Sequence, residues 1–538
     1  MATNRQFTAA EAHNLIMSSD SDENTDGADV SDDDDINILD AGPAVEESSE
    51  DDGNDVGSDD DDDADNNNSQ TMSGNETEDY SVNEGGSDDD RVNTLLSKDK
   101  KTAWNTKPME AAEGRRSAAN VLRYSVGPGP TRYSIRNVDT PASAFRLFMR
   151  DNVLDEIQRW TNIEGSLVFG NSWKDLERRD LLCYIGLLLL AGVYKAKNEP
   201  VEQLWNIESG RPIFSKSMAR NRFTDISRVL RFDNAADRRQ RRVTDKLAPI
   251  REVFEMWEKT LEDAFVPYEN VTVDEQLVTY RGRCPFKQYI PSKPGKYGIK
   301  CWMLSDSKTS YVCRLQVYVG RQDDQARERN QGERVVLDLC GGLKGSGRNI
   351  TCDNFFTSMQ LVQKLKRDKL TLLGTVRKNR VELPPEFVTA KGREALSSKF
   401  AFTKDAMIVS YCPKKSKIVV LMSSMHDQGE IDDSHPKKKP RMILEYNLTK
   451  GGVDTSDQML RNYSCKRMTR RWPIAIFANM LDISALNAYI IWMLLNPDWN
   501  QRKNQRRRLF LADLGKVRYH TKQLLSSSGL PYMKVTKV

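Results

Sequence analysis

Histidine is almost missing from this 538-residue chain. Four occur, His13, His426, His435 and His520, and with none between residues 14 and 425 a hydrolytic centre built on imidazole is not expected there. The eight cysteines are scattered at 183, 284, 301, 313, 340, 352, 412 and 465, with no Cys-x-x-Cys pair and no histidine at ligand spacing. This pattern argues against a disulfide framework and a structural zinc, and leaves reduced thiols. Long apolar runs are scarce too. Leu181–Tyr194 falls short of the roughly 20 residues a bilayer requires. Pro473–Leu495 is long enough but holds Asn479, Asp482, Ser484 and Asn487 and follows Arg470–Arg471, so it reads as a buried helix and no membrane partner is expected. Residues 1–30 lack a basic start followed by an apolar stretch, so an intracellular compartment is expected.

Basic residues are missing from one end. Residues 1–90 hold 30 Asp/Glu against Arg5 alone, a net of −29, which leaves 79 Lys/Arg against 48 Asp/Glu, a net of +31, on residues 91–538. The body should therefore attract a polyanion, with nucleic acid the leading candidate. Residues 1–90 bury too little apolar surface to offset their ordering entropy and are expected to be a disordered acidic tail, with a short helix possible at Ala9–Met17. The tail reads either as a solubilising leader or as a mimic of DNA charge tuned by phosphorylation at Ser19 or Ser21.

The length predicts two to four domains. Residues 91–139, with Gly127-Pro128-Gly129-Pro130, read as a linker or an arm lying along a partner. From 140 to 268 the apolar spacing is helical: Phe145, Phe148, Val153, Ile157 and Trp160 share roughly one face, and further helices are expected at Trp173–Tyr194, Met218–Phe232 and Ile250–Phe265. The period then shifts toward two, predicting strands at Val271–Tyr280, Tyr297–Ser305, Tyr311–Val319, Arg348–Cys352 and Thr371–Val376. Helices at Arg334–Leu339 and Ser358–Lys369 separate the last three of these strands. Three strands, helix, strand, helix, strand is the order of a ribonuclease-H-like mixed sheet. Residues 269–380 would form the first part of that catalytic domain, 381–440 an insertion domain and 441–463 its last part. Residues 464–538 return to helix with a basic end.

Asp274 sits inside a strand-like run and Asp353 ends another. In the inferred order these strands are neighbours, so two carboxylates converge at the sheet surface. A carboxylate there must be paired, protonated or bound to metal. Oxygen donors without histidine or cysteine suit Mg²⁺ or Mn²⁺, and phosphoryl transfer uses two such ions about 4 Å apart. Asp454 and Asp457 follow Gly451-Gly452, which permits a sharp turn. Either aspartate could cap the next helix, or both could face the metal site from one helical face.

Seven motifs in register resemble the piggyBac family of transposases: Val273-Asp274-Glu275-Gln276, Arg281-Gly282-Arg283-Cys284-Pro285-Phe286, Lys296-Tyr297-Gly298-Ile299-Lys300, Thr351-Cys352-Asp353-Asn354, Gly374-Thr375-Val376-Arg377, Tyr446-Asn447 with Lys450-Gly451-Gly452-Val453-Asp454, and Arg471-Trp472-Pro473. The resemblance extends from about Phe145 to about Leu495. It implies that Asp274, Asp353 and Asp454 bind catalytic metals and that Asp457 is a needed fourth. It also implies a ribonuclease-H-like domain interrupted by an insertion, and a helical dimerisation and DNA-binding domain assembled from both sides, as a homodimer on double-stranded DNA. The implied chemistry is attack by water at a transposon end, a hairpin across TTAA, and joining to a TTAA target. Around the aspartates, Arg281, Arg283, Lys293, Lys296, Lys300, Arg377, Lys378 and Arg380 are candidate phosphate contacts or ordinary solvated charges. Trp472, beside Arg470 and Arg471, either stacks on an unpaired base or is a core residue. Pro436-Lys437-Lys438-Lys439-Pro440-Arg441 resembles a nuclear import signal, or else forms an exposed loop touching DNA; a nuclear location is expected. Family members commonly end in a cysteine- and histidine-rich zinc module, and no cysteine follows Cys465 here, a departure that bears on end recognition and on mobility. An active transposase, a domesticated DNA-binding derivative and a nuclease of similar fold are the three functions in play.

Overall fold

A computed structural model describes residues 93–108, 122, 127–320 and 328–527, with side chains to residue 516. The expected acidic tail, the helix at Ala9–Met17 and the two serines lie outside these residues.

The expected period-two segments form one large mixed sheet. Its strands are β1 (Thr94–Leu96), β2 (Ala103–Asn105), β3 (Asn270–Thr279), β4 (Lys287–Tyr289), β5 (Tyr297–Asp306), β6 (Val312–Val317), β7 (Asn349–Cys352), β8 (Thr371–Thr375), β9 (Ser397–Phe402), β10 (Met407–Lys414) and β11 (Lys417–Ser423). They lie in the order β1-β2-β9-β10-β11-β8-β7-β3-β5-β4, with β6 also paired to β5. Strand β7 runs parallel to both β3 and β8, and the other pairs are antiparallel. The five strands anticipated between 271 and 376 lie within two residues of expectation.

Residues 381–440, expected as an insertion, carry β9, β10 and β11, which continue the same sheet because β11 pairs with the free edge of β8. The arm lies along its own chain: Asn105 of β2 pairs with Phe402 of β9, Trp104 is fully buried, and its indole donates to Glu382 O at 2.9 Å.

The helical side contains α1 (Asp151–Phe169), α2 (Arg178–Val193), α3 (Arg220–Val229), α4 (Arg251–Ala264), α9 (Trp472–Leu495) and α10 (Arg506–Ser527). On the sheet side are α5 (Gln331–Leu339), α6 (Met359–Arg367), α7 (Arg441–Thr449) and α8 (Gly452–Asn462). The first expected helix is broken. Phe145 belongs to a short helix, Pro141–Arg146, and the Arg150 guanidinium bonds Leu147 O at 3.0 Å where the chain turns into α1.

Helix α9 is the spine of the fold. It is apolar and long enough to cross a membrane, but it is buried within the protein, and its polar residues explain why. Asn479 bonds Gln276 of β3, Asp482 accepts from Ser464 Oγ and Cys465 N, Ser484 accepts from Trp257 Nε1 of α4, and Asn487 bonds both backbone groups of Val312. Each side chain that would be costly in lipid is satisfied by a different neighbour. Helices from both ends of the chain pack on one another and share the larger of two hydrophobic cores with the sheet, while α7 covers a smaller one formed with β8, β9, β10 and β11.

Candidate active site

Strand β3 is buried along its length except at its ends and at Asp274–Glu275, where the sheet opens to solvent. Asp274 lies opposite Met303 of β5. On the other side the parallel register pairs Val273 with Cys352, the last residue of β7, so the next residue on each strand is Asp274 and Asp353. Sequence alone set these residues on adjoining strands, and the register brings them together.

Each carboxylate is held by a nearby amide. Asp274 Oδ1 accepts from Glu275 N at 2.7 Å, and Asp353 Oδ1 accepts from Phe355 N at 2.9 Å. Burial, then repulsion from Asp353 and Glu275, raises Asp274 well above the ordinary carboxylate range. Burial and the Glu275 charge raise Asp353 to about 6, opposed by Phe355 N and by Arg377 and Lys300. The two titrate as a pair.

Helix α8 is laid over them by close contacts. Gly452 has an ordinary helical role, and Gly451 has φ −81°, so the Gly-Gly pair makes no left-handed turn. The glycine is needed for space instead: a Cβ on Gly452 would stand 2.5 Å from Thr272 Oγ1. Thr272 Oγ1 also donates to Thr449 O at 2.6 Å, and Ser456 Oγ to Ser310 O at 2.9 Å. The capping expectation does not hold. The N-cap is Gly451, without a side-chain cap, and Asp454 lies within the first turn. Asp454 is exposed, with Oδ1 3.5 Å from Lys293 Nζ. One turn on, half-buried Asp457 accepts from Gln276 Nε2 at 3.1 Å and pairs with Arg461 at 3.4 Å, and burial raises its carboxyl.

Among the described residues no group of three or more His, Cys, Asp or Glu stands ready to hold a metal ion. The open carboxylate pair nevertheless fits Mg²⁺, which takes one or two carboxylates together with water and substrate phosphates. Mutual repulsion between Asp274 and Asp353 is the second sign of fit, since a cation would relieve it.

The basic candidates divide. Lys293 and Lys300 face the carboxylates, the latter 3.5 Å from Glu275 Oε2 and 3.9 Å above the Trp302 ring. Arg377 bonds Asn354 Oδ1 at 3.4 Å. Arg281, Arg283, Lys296, Lys378 and Arg470 are exposed, and Arg380 is half-buried. Two candidates are corrected. Trp472 is buried edge-on against Phe286 at 4.9 Å and cannot stack on a base without leaving the core. Arg471 caps the end of α3 through Ser227 O, Arg228 O and Leu230 O, and burial lowers it to about 10. Pro436–Pro440 folds as a tight loop leading into α7, which begins at Arg441: Lys437 O accepts from Tyr411 OH at 2.6 Å and Pro440 is buried, while Lys438 and Arg441 are exposed.

Sequence reasoning missed the roles of four residues. Glu275 adds negative charge that acts on both Asp274 and Asp353, and its place beside Asp274 was the available signal. Gln276 and Asn479 form a buried amide pair below Asp457. Tyr446, buried near Asp353 and Asp274 and bonded to Thr375, has its phenol held above the usual range by burial. Nothing local in the sequence distinguishes these last three.

Comparison with known proteins gives this fold a family. Residues 140–489 match the family model described as Transposase IS4. The chain belongs to this transposase family, within its piggyBac type. It is 26% identical over 350 residues to human "PiggyBac transposable element-derived protein 3", covering 62% of this chain and 58% of that protein. It is 21% identical over 374 residues to human "PiggyBac transposable element-derived protein 2", covering 65% and 61%. The chain thus spans about three fifths of these relatives. A solved structure described as the "piggyBac transposase synaptic complex with hairpin DNA" superposes with a TM-score of 0.70 at 36% identity, covering 75% of this chain and 85% of that one.

Proposed function

We propose that this chain is a cut-and-paste DNA transposase that cleaves and joins DNA at a site formed by Asp274, Asp353 and Asp454, with Asp457 as a fourth member. The observation that carries the reading is the meeting of Asp274 and Asp353 on neighbouring parallel strands beneath the helix that bears Asp454 and Asp457. The order β6-β5-β3-β7-β8 supports a ribonuclease-H-like core. Two Mg²⁺ or Mn²⁺ ions held by these carboxylates would stabilise the attacking and leaving oxygens of phosphoryl transfer. The chain's own groups do the rest. Backbone amides fix the orientation of Asp274 and Asp353. Lys293, Lys300 and Arg377 set positive charge beside them, and Arg281, Arg283, Lys296, Lys378, Arg380 and Arg470 extend it outward for DNA phosphates. The family likeness supports hairpin formation and rejoining at TTAA, a homodimer, and a nuclear location with Pro436–Arg441 as candidate import signal.

A second reading is favoured by the names of the human relatives, which are described as element-derived. In it the chain keeps the fold and binds DNA without mobilising it. Plasmid excision in cells, with matching inverted-repeat ends, separates the two. Wild type should excise and Asp353→Asn should lose at least about a thousandfold, on the order of 4 kcal/mol in barrier. Equal background in both would end the transposase reading.

A further inference from the structure

The hairpin tip between β4 and β5 carries one cation into the carboxylates. Residues 290–296 close on themselves: Lys293 N donates to Ile290 O at 3.2 Å, Lys296 N to Lys293 O at 2.9 Å, and Ile290 N to Lys296 O at 2.7 Å, with Lys296 left-handed at φ 52°. The Lys293 side chain turns inward and is 19% exposed. Its ammonium lies 3.1 Å from Glu275 O and 3.5 Å from Asp454 Oδ1. Burial alone would lower this ammonium, yet Asp274, Asp454, Glu275 and Asp457 together raise it. The other nearby cations have further partners: Lys300 lies on Glu275 and the Trp302 ring, Arg377 on Asn354 and the Phe355 ring, and Arg461 on Asp457.

We propose that Lys293 is the resident counter-cation of the aspartate site, neutralising it before metal binds, displaced from Asp454 by metal loading and then free to take a DNA phosphate. The inference rests on the reading of the aspartates as metal ligands. A lysine ammonium and a divalent ion compete for the same carboxylate oxygens, and the ion brings twice the charge to them. The flexible four-carbon stem lets the ammonium move by a rotamer change while the hairpin tip stays closed. Metal loading and substrate contact would then be coupled through one side chain. Lys293 is a positioning residue in this scheme, and it differs from an ordinary DNA-contact lysine in acting on the metal equilibrium without DNA.

The test is Mn²⁺ binding to the full chain in the absence of DNA, followed by the magnetic-resonance signal of free Mn²⁺. Wild type, Lys293→Met and Asp353→Asn are compared. Wild type should bind, Asp353→Asn should not, and Lys293→Met should bind about tenfold more tightly because a competing charge is gone. Metal-free Lys293→Met should also unfold at a lower temperature than wild type, and Mn²⁺ should raise that temperature further than it does for wild type. Lys293→Gln, which keeps a donor for Glu275 O, repeats the comparison should the methionine variant fold poorly. Unchanged or weaker Mn²⁺ affinity in both variants, with binding still sensitive to Asp353→Asn, overturns the role of Lys293 and leaves the metal site standing. Absence of any Asp353-dependent binding overturns both.

Discussion

The two strand-borne aspartates and the two helix-borne aspartates are built in opposite ways. Asp274 and Asp353 are fixed by strand register and by an amide each, and burial and repulsion raise both. Asp454 is exposed and paired with Lys293, and Asp457 is steadied at one remove through the Gln276 amide. The strand pair is a preorganised, electrostatically strained half-site. The helix pair closes the site from above, seated on Thr272 and Ser310.

The largest effects should come from the strand half. Asp274→Asn and Asp353→Asn should each reduce excision by at least about a thousandfold. Each should also leave the metal-free protein as stable as wild type or more so, since one of two repelling carboxylates is removed. Asp454→Asn should likewise lose activity but bring no gain in stability, because its charge is paired with Lys293. Thermal unfolding alongside excision reads both, and a gain in unfolding temperature for Asp454→Asn would erase the distinction between the halves.

Next in size is the seat of the helix. Gly452→Val would drive a side chain into Thr272. Overpacking of this kind costs about 1–3 kcal/mol, and lifting α8 by an ångström would move both helix aspartates, for a loss on the order of a hundredfold in rate. Wild-type excision from this variant would mean that α8 is free to float on the sheet.

The strand half was legible in the sequence and the helix half only partly so. A carboxylate inside an apolar alternating run, as at Asp274, stands out because local pattern alone makes it costly. The same alternation placed five strands within two residues. What was not legible depends on contacts between distant segments. Trp472 beside two arginines fits either a base stack or a core, and only the position of Phe286 decides it. Gly451-Gly452 looks like a turn until Thr272 is found beneath it. That the strands of 381–440 continue this sheet was not legible either, because edge pairing with β8 leaves no local mark.

The smallest expected effect tests how the helix half is steadied. Gln276 Nε2 donates to both Asp457 and Asn479, while Asn479 Nδ2 donates back to Gln276 Oε1 at 2.9 Å. Core helix α9 thereby sets the angle of a carboxylate it does not touch. Gln276→Leu keeps the volume and removes the link, leaving Asn479 and one oxygen of Asp457 without a donor or acceptor in a buried place, at a cost of about 1–3 kcal/mol. Asp457 keeps Arg461, so excision should fall by only about tenfold, the size expected of a misaligned supporting residue. Restoring a polar partner from the other side cannot compensate, because Gln276→Glu would set a second carboxylate against Asp457 and should be worse than Gln276→Leu. Were Gln276→Glu the milder of the two, Asp457 would be protonated in the working protein, and the helix half would be as strained as the strand half.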